Sequence, residues 1–211
     1  MDIKVLSREQ DTLRFVLSGV SPAFANALRR IILAEVPVMA IDDVMILENG
    51  SVMYDEILAH RLGLIPITTD QTYNLPEECT CKSELGCEKC RASLSLEVEA
   101  TDQVDVVYTS SMKPENPEVR PVSDKIPIVK LAQGQRVKLE AYARLGRGRD
   151  HAKWQPASAC TYNYDEKSRT FNFLVESTGT MPAEKLVLEA ARLITAKTLG
   201  FEEWLGAVAD K

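Results

Sequence analysis

The sequence predicts an α+β fold with amphipathic helices near both chain ends and strands between them. Three observations lead there. Apolar residues recur at helical spacing in Phe24, Ala27, Leu28, Ile31 and Ile32, and again in Leu186, Val187, Ala190, Leu193 and Ile194. Period-two alternation runs through Ala92-Ser93-Leu94-Ser95-Leu96-Glu97-Val98-Glu99-Ala100, the mark of a half-buried strand. A hydrophobic content of 45% over 211 residues is enough to fill a core.

Taken in order, residues 2–7 and 12–19 are Val-, Leu- and Ile-rich runs separated by Arg8-Glu9-Gln10-Asp11, which predicts a hairpin. Ser21-Pro22 then supplies an N-cap and a proline at the first helical position, where its missing N–H costs nothing. Pro37 limits that helix to about residues 22–35. Strand pattern follows over Val38–Leu47, then a turn at Asn49-Gly50. A short helix is expected over about Asp55–Leu62, capped by Asp55 and closed by Gly63, with Pro66 beyond. Residues 68–90 read as a polar loop. The stretch 111–127, with Pro114, Pro117, Pro121 and Pro127, reads as a surface loop, and Val137–Leu145 as a strand. Residues 146–160 are expected as an extended loop, followed by strands at Thr161–Tyr164 and Thr170–Glu176 around a turn at 165–168. A helix of about 17 residues, roughly 25 Å long, is expected from Pro182, with a break at Gly200.

Charge narrows the function classes. Lys and Arg number 25 and Asp and Glu 31, a net charge of −6 spread along the chain, so direct, specific nucleic-acid binding is not expected. The N-terminal stretch lacks the apolar core of a signal peptide and an apolar run long enough to span a bilayer, so a cytoplasmic protein with no membrane partner is expected.

In a reducing compartment the cluster Cys79-x-Cys81-x5-Cys87-x2-Cys90 reads as metal ligands. Four thiolates in one short loop can close a tetrahedral shell around zinc without further ligands, and such a zinc is structural because no coordination position stays open. Unmetallated thiols or an iron–sulfur cluster are the alternatives that the spacing leaves open. Cys160 stands alone and suggests packed structure. No catalytic residues are assigned: His60 and His151 lie apart from the cysteines, and there is no G-x-S-x-G, Walker loop, G-x-G-x-x-G or H-E-x-x-H. Gly146-Arg147-Gly148-Arg149 resembles a phosphate loop only superficially.

Three motifs add a family resemblance. Phe24-Ala25-Asn26-Ala27-Leu28-Arg29-Arg30-Ile31-Ile32-Leu33-Ala34-Glu35-Val36-Pro37, continuing through Ala40-Ile41-Asp42-Asp43-Val44, closely resembles the signature of the alpha-like subunits of multisubunit DNA-directed RNA polymerases. Asp55-Glu56-Ile57-Leu58-Ala59-His60-Arg61-Leu62-Gly63-Leu64-Ile65-Pro66 and His151-Ala152-Lys153-Trp154-Gln155-Pro156-Ala157 resemble two further family motifs, in the family's order. The cysteine loop between them looks like that of the archaeal and eukaryotic branch, and the chain most resembles the archaeal members of the family.

The resemblance implies a two-part molecule, a discontinuous dimerisation domain from 1–45 and 165–211 and an inserted β-rich domain from 46–164 that carries the metal loop. It implies a non-catalytic scaffold within a nucleotidyltransferase complex. The chain would pair with a smaller homologous subunit, subunit L, to form the platform for the two large catalytic subunits. Some archaeal members carry an inserted ferredoxin-like domain with iron–sulfur clusters after the stretch matching Ala157–Tyr164. Here only 165–169 separate the strands, so no iron–sulfur domain is expected. Phe24, Leu28, Ile31, Ile32, Leu186, Ala190 and Leu193 are expected as core or partner contacts, and Arg29 and Arg30 as contacts to a large subunit. The competing function is a free-standing zinc-dependent binding or regulatory module; a redox protein using the thiols is a third.

Overall fold

A computed structural model describes residues 1–9, 11–83 and 86–209. In chain order the elements are β1 (Asp2–Arg8), β2 (Thr12–Ser18), α1 (Pro22–Ala34), β3 (Val38–Asn49), α2 (Asp55–Gly63), β4 (Ala92–Glu99), β5 (Asp105–Tyr108), β6 (Met112–Pro114), β7 (Pro127–Leu131), β8 (Arg136–Gly146), β9 (Ala157–Asp165), β10 (Thr170–Ser177) and α3 (Ala183–Ala209). Two single 3₁₀ turns lie at Thr109–Ser111 and Ala152–Trp154. The chain divides into two compact units. The first comprises 1–36, 147–151 and 155–211, and the second 37–146 and 152–154.

The first unit is built on an antiparallel sheet of order β1-β2-β10-β9. Leu13, Phe15 and Leu17 of β2 and Phe171, Phe173 and Val175 of β10 are buried on one face, as strand alternation requires. Phe15 and Phe173 are register partners whose rings stack 4.9 Å apart, the kind of cross-strand aromatic pair that pins register. Ala25, Leu28 and Ile32 of α1, with Leu186 and Ala190 of α3, complete this core. The start of α1 follows the expected chemistry: the Ser21 hydroxyl accepts the Phe24 N–H at 3.2 Å and Pro22 occupies the first turn.

The second unit has an antiparallel sheet of order β3-β8-β4-β6 and a separate β5–β7 pair. Val137, Leu139, Ala141, Ala143 and Leu145 of β8 and Ala92, Leu94 and Leu96 of β4 face a core completed by Leu58 and Leu62 of α2, while the intervening residues point outward. This half-buried alternation is what an antiparallel sheet covered on one face produces.

Several expectations change. Asp55 does not cap α2: Tyr54 holds the cap position without a side-chain bond, and the Asp55 carboxylate accepts the Asn49 amide at 2.7 Å. Gly63 is the last helical residue rather than a left-handed stop, and Leu64 follows in right-handed conformation. Residues 157–160 belong to β9, because they pair with β10 beyond the run read from apolar content. The stretch 111–127 is not all surface, since Met112 pairs with β4 and Val119 is fully buried. The largest departure is α3, which runs 27 residues straight through Gly200. A single helical glycine costs only about 1 kcal/mol, less than an established helix gains by continuing. The sequence boundary at 45/46 falls inside β3, all of which lies in the second unit, and the boundary at 164/165 falls one residue short of the end of β9, which lies in the first.

Two glycines give opposite expectations. A Cβ at Gly148 would collide with the Leu33 carbonyl oxygen, whereas one at Gly200 would meet nothing within 4 Å. Gly148→Ala should therefore cost about 1–3 kcal/mol of unfolding free energy, as overpacking does. Gly200→Ala should leave stability unchanged or raise it by up to about 1 kcal/mol. Urea denaturation followed by circular dichroism measures both.

Candidate metal centre and partner face

The metal loop is held at both ends. Leu75 is buried in the core of the second unit before it, and β4 begins at Ala92 just after it. The Asn74 N–H donates to the Lys89 carbonyl at 2.8 Å and closes the loop across its base. Within it the chain turns sharply: Lys82 has φ 50° and Gly86 φ 78°, left-handed conformations that reverse direction between the two cysteine pairs. The Cys90 and Arg91 N–H groups both donate to the Cys87 carbonyl at 2.9 Å, forming the tight turn that a C-x2-C spacing allows.

These turns bring all four Sγ atoms within 4.8 Å of one another. Cys79 and Cys87 are 3.7 Å apart, Cys81 and Cys90 3.8 Å, and Cys87 and Cys90 3.8 Å. A tetrahedron with metal–sulfur bonds of about 2.3 Å has edges of roughly 3.8 Å, so the thiols fit a single tetrahedral ion. An iron–sulfur cluster spreads its four thiolates over more than one iron and would hold some of these sulfurs farther apart. The Cys87 N–H also donates to Cys90 Sγ at 3.1 Å, a bond that favours a thiolate there. Burial nonetheless pushes the Cys90 thiol up to about 12, and hydrogen bonds with the other three thiols add to the rise. Four thiols packed this closely ionise together only when a cation compensates them.

The motif residues of the second unit form an internal network. Arg144 on β8 pairs with Asp42 at 2.8 Å and with Asp43, both on β3. Lys153 reaches the other Asp42 oxygen at 2.5 Å and lies 4.3 Å from the centre of the Trp154 ring. The Trp154 indole N–H donates to the Arg144 carbonyl at 3.2 Å, and its ring lies flat over Gly146, where any Cβ would collide. On α2, Arg61 donates to the carbonyls of Ile128 at 3.0 Å and Pro127 at 2.8 Å. The glycines of 146–149 are thus fitted to packing, not to a phosphate.

The expected partner residues divide by burial. Ile32, Leu186 and Ala190 are enclosed by the first unit itself at 0% exposure, and Leu28, also buried, lines the groove described below. Phe24, Ile31 and Leu193 are half-buried. Arg29 is half-buried and donates to Asn26 Oδ1 at 3.0 and 3.2 Å, while Arg30 is exposed. Within the first unit, exposed apolar surface lies beside these positions. A groove of about 500 Å³ is lined by Met1, by Ile3 and Val5 of β1 and Phe24 of α1, and by Leu188 and Ile194 of α3, among others. Farther along α3, Leu199, Phe201, Trp204, Leu205 and Val208 are all exposed. Two signals in the sequence could have found this face: Ile3 and Val5 alternate on what proves to be an edge strand, and the apolar pattern continues past Gly200.

Comparison with known proteins decides the family. Residues 41–159 match the model of the RNA polymerase Rpb3/RpoA insert domain. The chain is 43% identical over 201 residues to DNA-directed RNA polymerase subunit Rpo3 of Methanosphaera stadtmanae, covering 92% of this chain and 74% of the relative. It is 40% identical over 255 residues to the Pyrobaculum calidifontis Rpo3, covering 99% and 97%. This chain belongs to the archaeal Rpo3 family of alpha-like RNA polymerase subunits. The Rpo3 of Pyrococcus furiosus is 47% identical over 156 residues, 74% of this chain but only 56% of that relative. In the present Rpo3-family chain a short turn joins β9 to β10, Asp165 pairing directly with Thr170. Among the described residues, no helix is long and apolar enough to cross a membrane.

Two outcomes follow from the thiols. Cys90→Ser should abolish tight metal binding and loosen residues 74–91 while leaving the three sheets intact, which metal analysis and hydrogen exchange would detect. Cys160 is buried apart from the cluster, and burial pushes its thiol up to about 11. The folded chain therefore holds this proton more tightly than the unfolded chain. The resulting stability is complete below the ordinary thiol value of about 9 and is lost as pH rises toward 11. Denaturation midpoints of wild type and Cys160→Ala, compared at pH 8 and pH 11, should show a steeper alkaline loss in wild type.

Proposed function

We propose that this chain is the non-catalytic assembly scaffold of a DNA-directed RNA polymerase. Its first unit pairs with a smaller homologous subunit, subunit L, and the pair is the platform for the two large catalytic subunits. The observation that carries the reading is the apolar groove framed by β1, β2, α1 and α3, continued by the exposed apolar side chains on the last turns of α3. Contiguous apolar surface of this kind is characteristic of a protein that is meant to be covered. Obligate interfaces bury more than about 2,000 Å² and resemble a core cut in half. A groove whose floor is Leu13, Phe15 and Leu17, themselves core residues, fits that description.

The buried positions Leu28, Ile32, Leu186 and Ala190 support the interface from beneath by fixing the two helices, and Phe24, Ile31 and Leu193 stand at its margin. Arg30, exposed on α1, is assigned to a large subunit, and Arg29, tied to Asn26, orients beside it. The metal is zinc in a structural role: four thiolates complete a tetrahedral shell, which leaves no position for substrate. A free-standing zinc-dependent module would need a ligand surface on the loop but no covered apolar face.

Co-expression with the small homologous subunit, followed by size-exclusion chromatography with mass determination and metal analysis, tests the reading. A 1:1 complex with about one zinc is expected; a monodisperse monomer that ignores the partner would overturn it. Leu188 is 50% exposed in the groove, so Leu188→Glu should weaken pairing at least about 100-fold while leaving the fold intact. Charge reversal at Arg29 and Arg30 together should leave that pair intact and impair recruitment of the large subunits, read by pull-down.

A further inference from the structure

The four thiols of the metal loop are not equivalent. Cys79 and Cys90 are buried at 7% and 1% exposure, Cys87 is half-buried and Cys81 is exposed. Cys81 is thus the sulfur that a small solute in water meets first. Its close neighbour is Cys90, 3.8 Å away, and Cys90 lies at the centre of the cluster, also 3.8 Å from Cys87. Cys79 and Cys87 make the complementary contact at 3.7 Å. Disulfide formation requires two sulfurs to approach to about 2.05 Å. From 3.8 Å that takes a small rotation, in a loop that already turns back on itself at Lys82 and Gly86.

We propose that this loop is a thiol-oxidation site, with Cys81 the residue attacked by a hydroperoxide and Cys90 the thiol that resolves it. The inference rests on reading the cluster as a metal site that keeps its sulfurs as thiolates, the nucleophilic form. The Cys81 sulfur attacks one peroxide oxygen; an S–O bond forms, the O–O bond breaks, and the departing hydroxide takes a proton to become water. The product is a sulfenic acid at Cys81. The Cys90 sulfur then attacks the Cys81 sulfur; the S–S bond forms, the S–O bond breaks, and a second hydroxide leaves and is protonated. Two thiolates, one hydrogen peroxide and two protons give one disulfide and two waters, with two electrons passing from sulfur to oxygen. Cys79 and Cys87 alone remain as ligands. Two thiolates hold an ion far less tightly than four, so oxidation couples to loss of the metal and of the tie across residues 79–90. The core of the second unit, which among the described residues draws from this region Leu75 and the partly buried Tyr73 besides the strand residues that follow, stays folded.

The test uses the full chain loaded with zinc(II) and treated with one equivalent of hydrogen peroxide at neutral pH. Zinc release is followed with a chromophoric chelator, and aliquots are quenched with iodoacetamide for peptide mapping. Cleavage after Lys82, Lys89 and Arg91 separates Cys87 and Cys90 from each other and from the peptide bearing Cys79 and Cys81, which fragmentation then resolves. The first disulfide should be Cys81–Cys90, rising in step with the chelator signal and reversed by dithiothreitol, with Cys160 still reduced. A first disulfide of Cys87–Cys90 or Cys79–Cys87, zinc release without thiol oxidation, or earlier oxidation of Cys160 would overturn the proposal. Zinc content before peroxide reports separately on the metal reading: a chain that binds no zinc yet forms Cys81–Cys90 first removes that reading and keeps this assignment.

Discussion

The antiparallel pairing of β3 with β8 is the constraint on which the chain's organisation depends. Val38 lies opposite Gly146 and Asn49 opposite Val137, so the first strand of the insert and its last run side by side along nearly their whole length. A domain inserted into another must begin and end at neighbouring points, or the host's two halves could not meet. Here the requirement is met by backbone hydrogen bonds between the entering and leaving strands, reinforced by Arg144 on one reaching Asp42 and Asp43 on the other. Because the insert closes on itself, residues 12–18 and 170–177, more than 150 positions apart, can be adjacent strands of one sheet. Long-range pairing of that kind carries a loop-closure cost that grows only slowly with length, which an insert already folded upon its own paired ends reduces further.

The metal loop meets a different difficulty by the same logic. Residues 73–91 contain few apolar side chains beyond Leu75 and the cysteines, too few to repay the entropy of ordering them. A tetrahedral ion bound by the four thiols would supply the missing free energy locally, through bonds rather than burial, and would need nothing from the rest of the core. The same economy makes the loop separable. The four cysteines lie outside the apolar core of the second unit, so a bound ion could be lost without removing any of that core's side chains, a prerequisite for any chemistry at Cys81 that does not destroy the protein.

How much of this is legible in the sequence follows the range of the interaction involved. The hairpin of β1 and β2, the Ser21 cap, the alternation of β4 and β8 and the four clustered cysteines are local patterns, and each can be read from neighbours in the chain. What escapes such reading depends on distant residues. Ala157–Cys160 have no strand signature of their own and are strand because β10 lies beside them. Gly200 looks like a break until the helix around it is seen to continue at a cost of about 1 kcal/mol. Asp55 has a capping side chain, but Asn49 claims it. The partner residues divide for a related reason. Helical periodicity reveals that a stripe is apolar, and it does not say which chain covers it; Ile32, Leu186 and Ala190 are covered from within.

Several of the residues that make the family recognisable are therefore determinants of shape. Arg61, Arg144 and Lys153 carry three positive charges, yet each is engaged inside its own unit by carbonyls or carboxylates, and Trp154 lies over a glycine that can be nothing larger. Such residues tolerate little change, because removing one partner leaves the other desolvated and unmatched. Apolar surface without an internal partner lies along β1 and the outer turns of α3, and it reaches the signature motifs at the half-buried Phe24 and at the exposed Ile57 and Leu64. An apolar surface is satisfied by many side chains of similar size, provided that the partner changes with it. Where Arg61, Arg144 and Lys153 hold a partner in place, the side chain is dictated by its own chemistry, whereas an apolar surface asks only for matching size and shape.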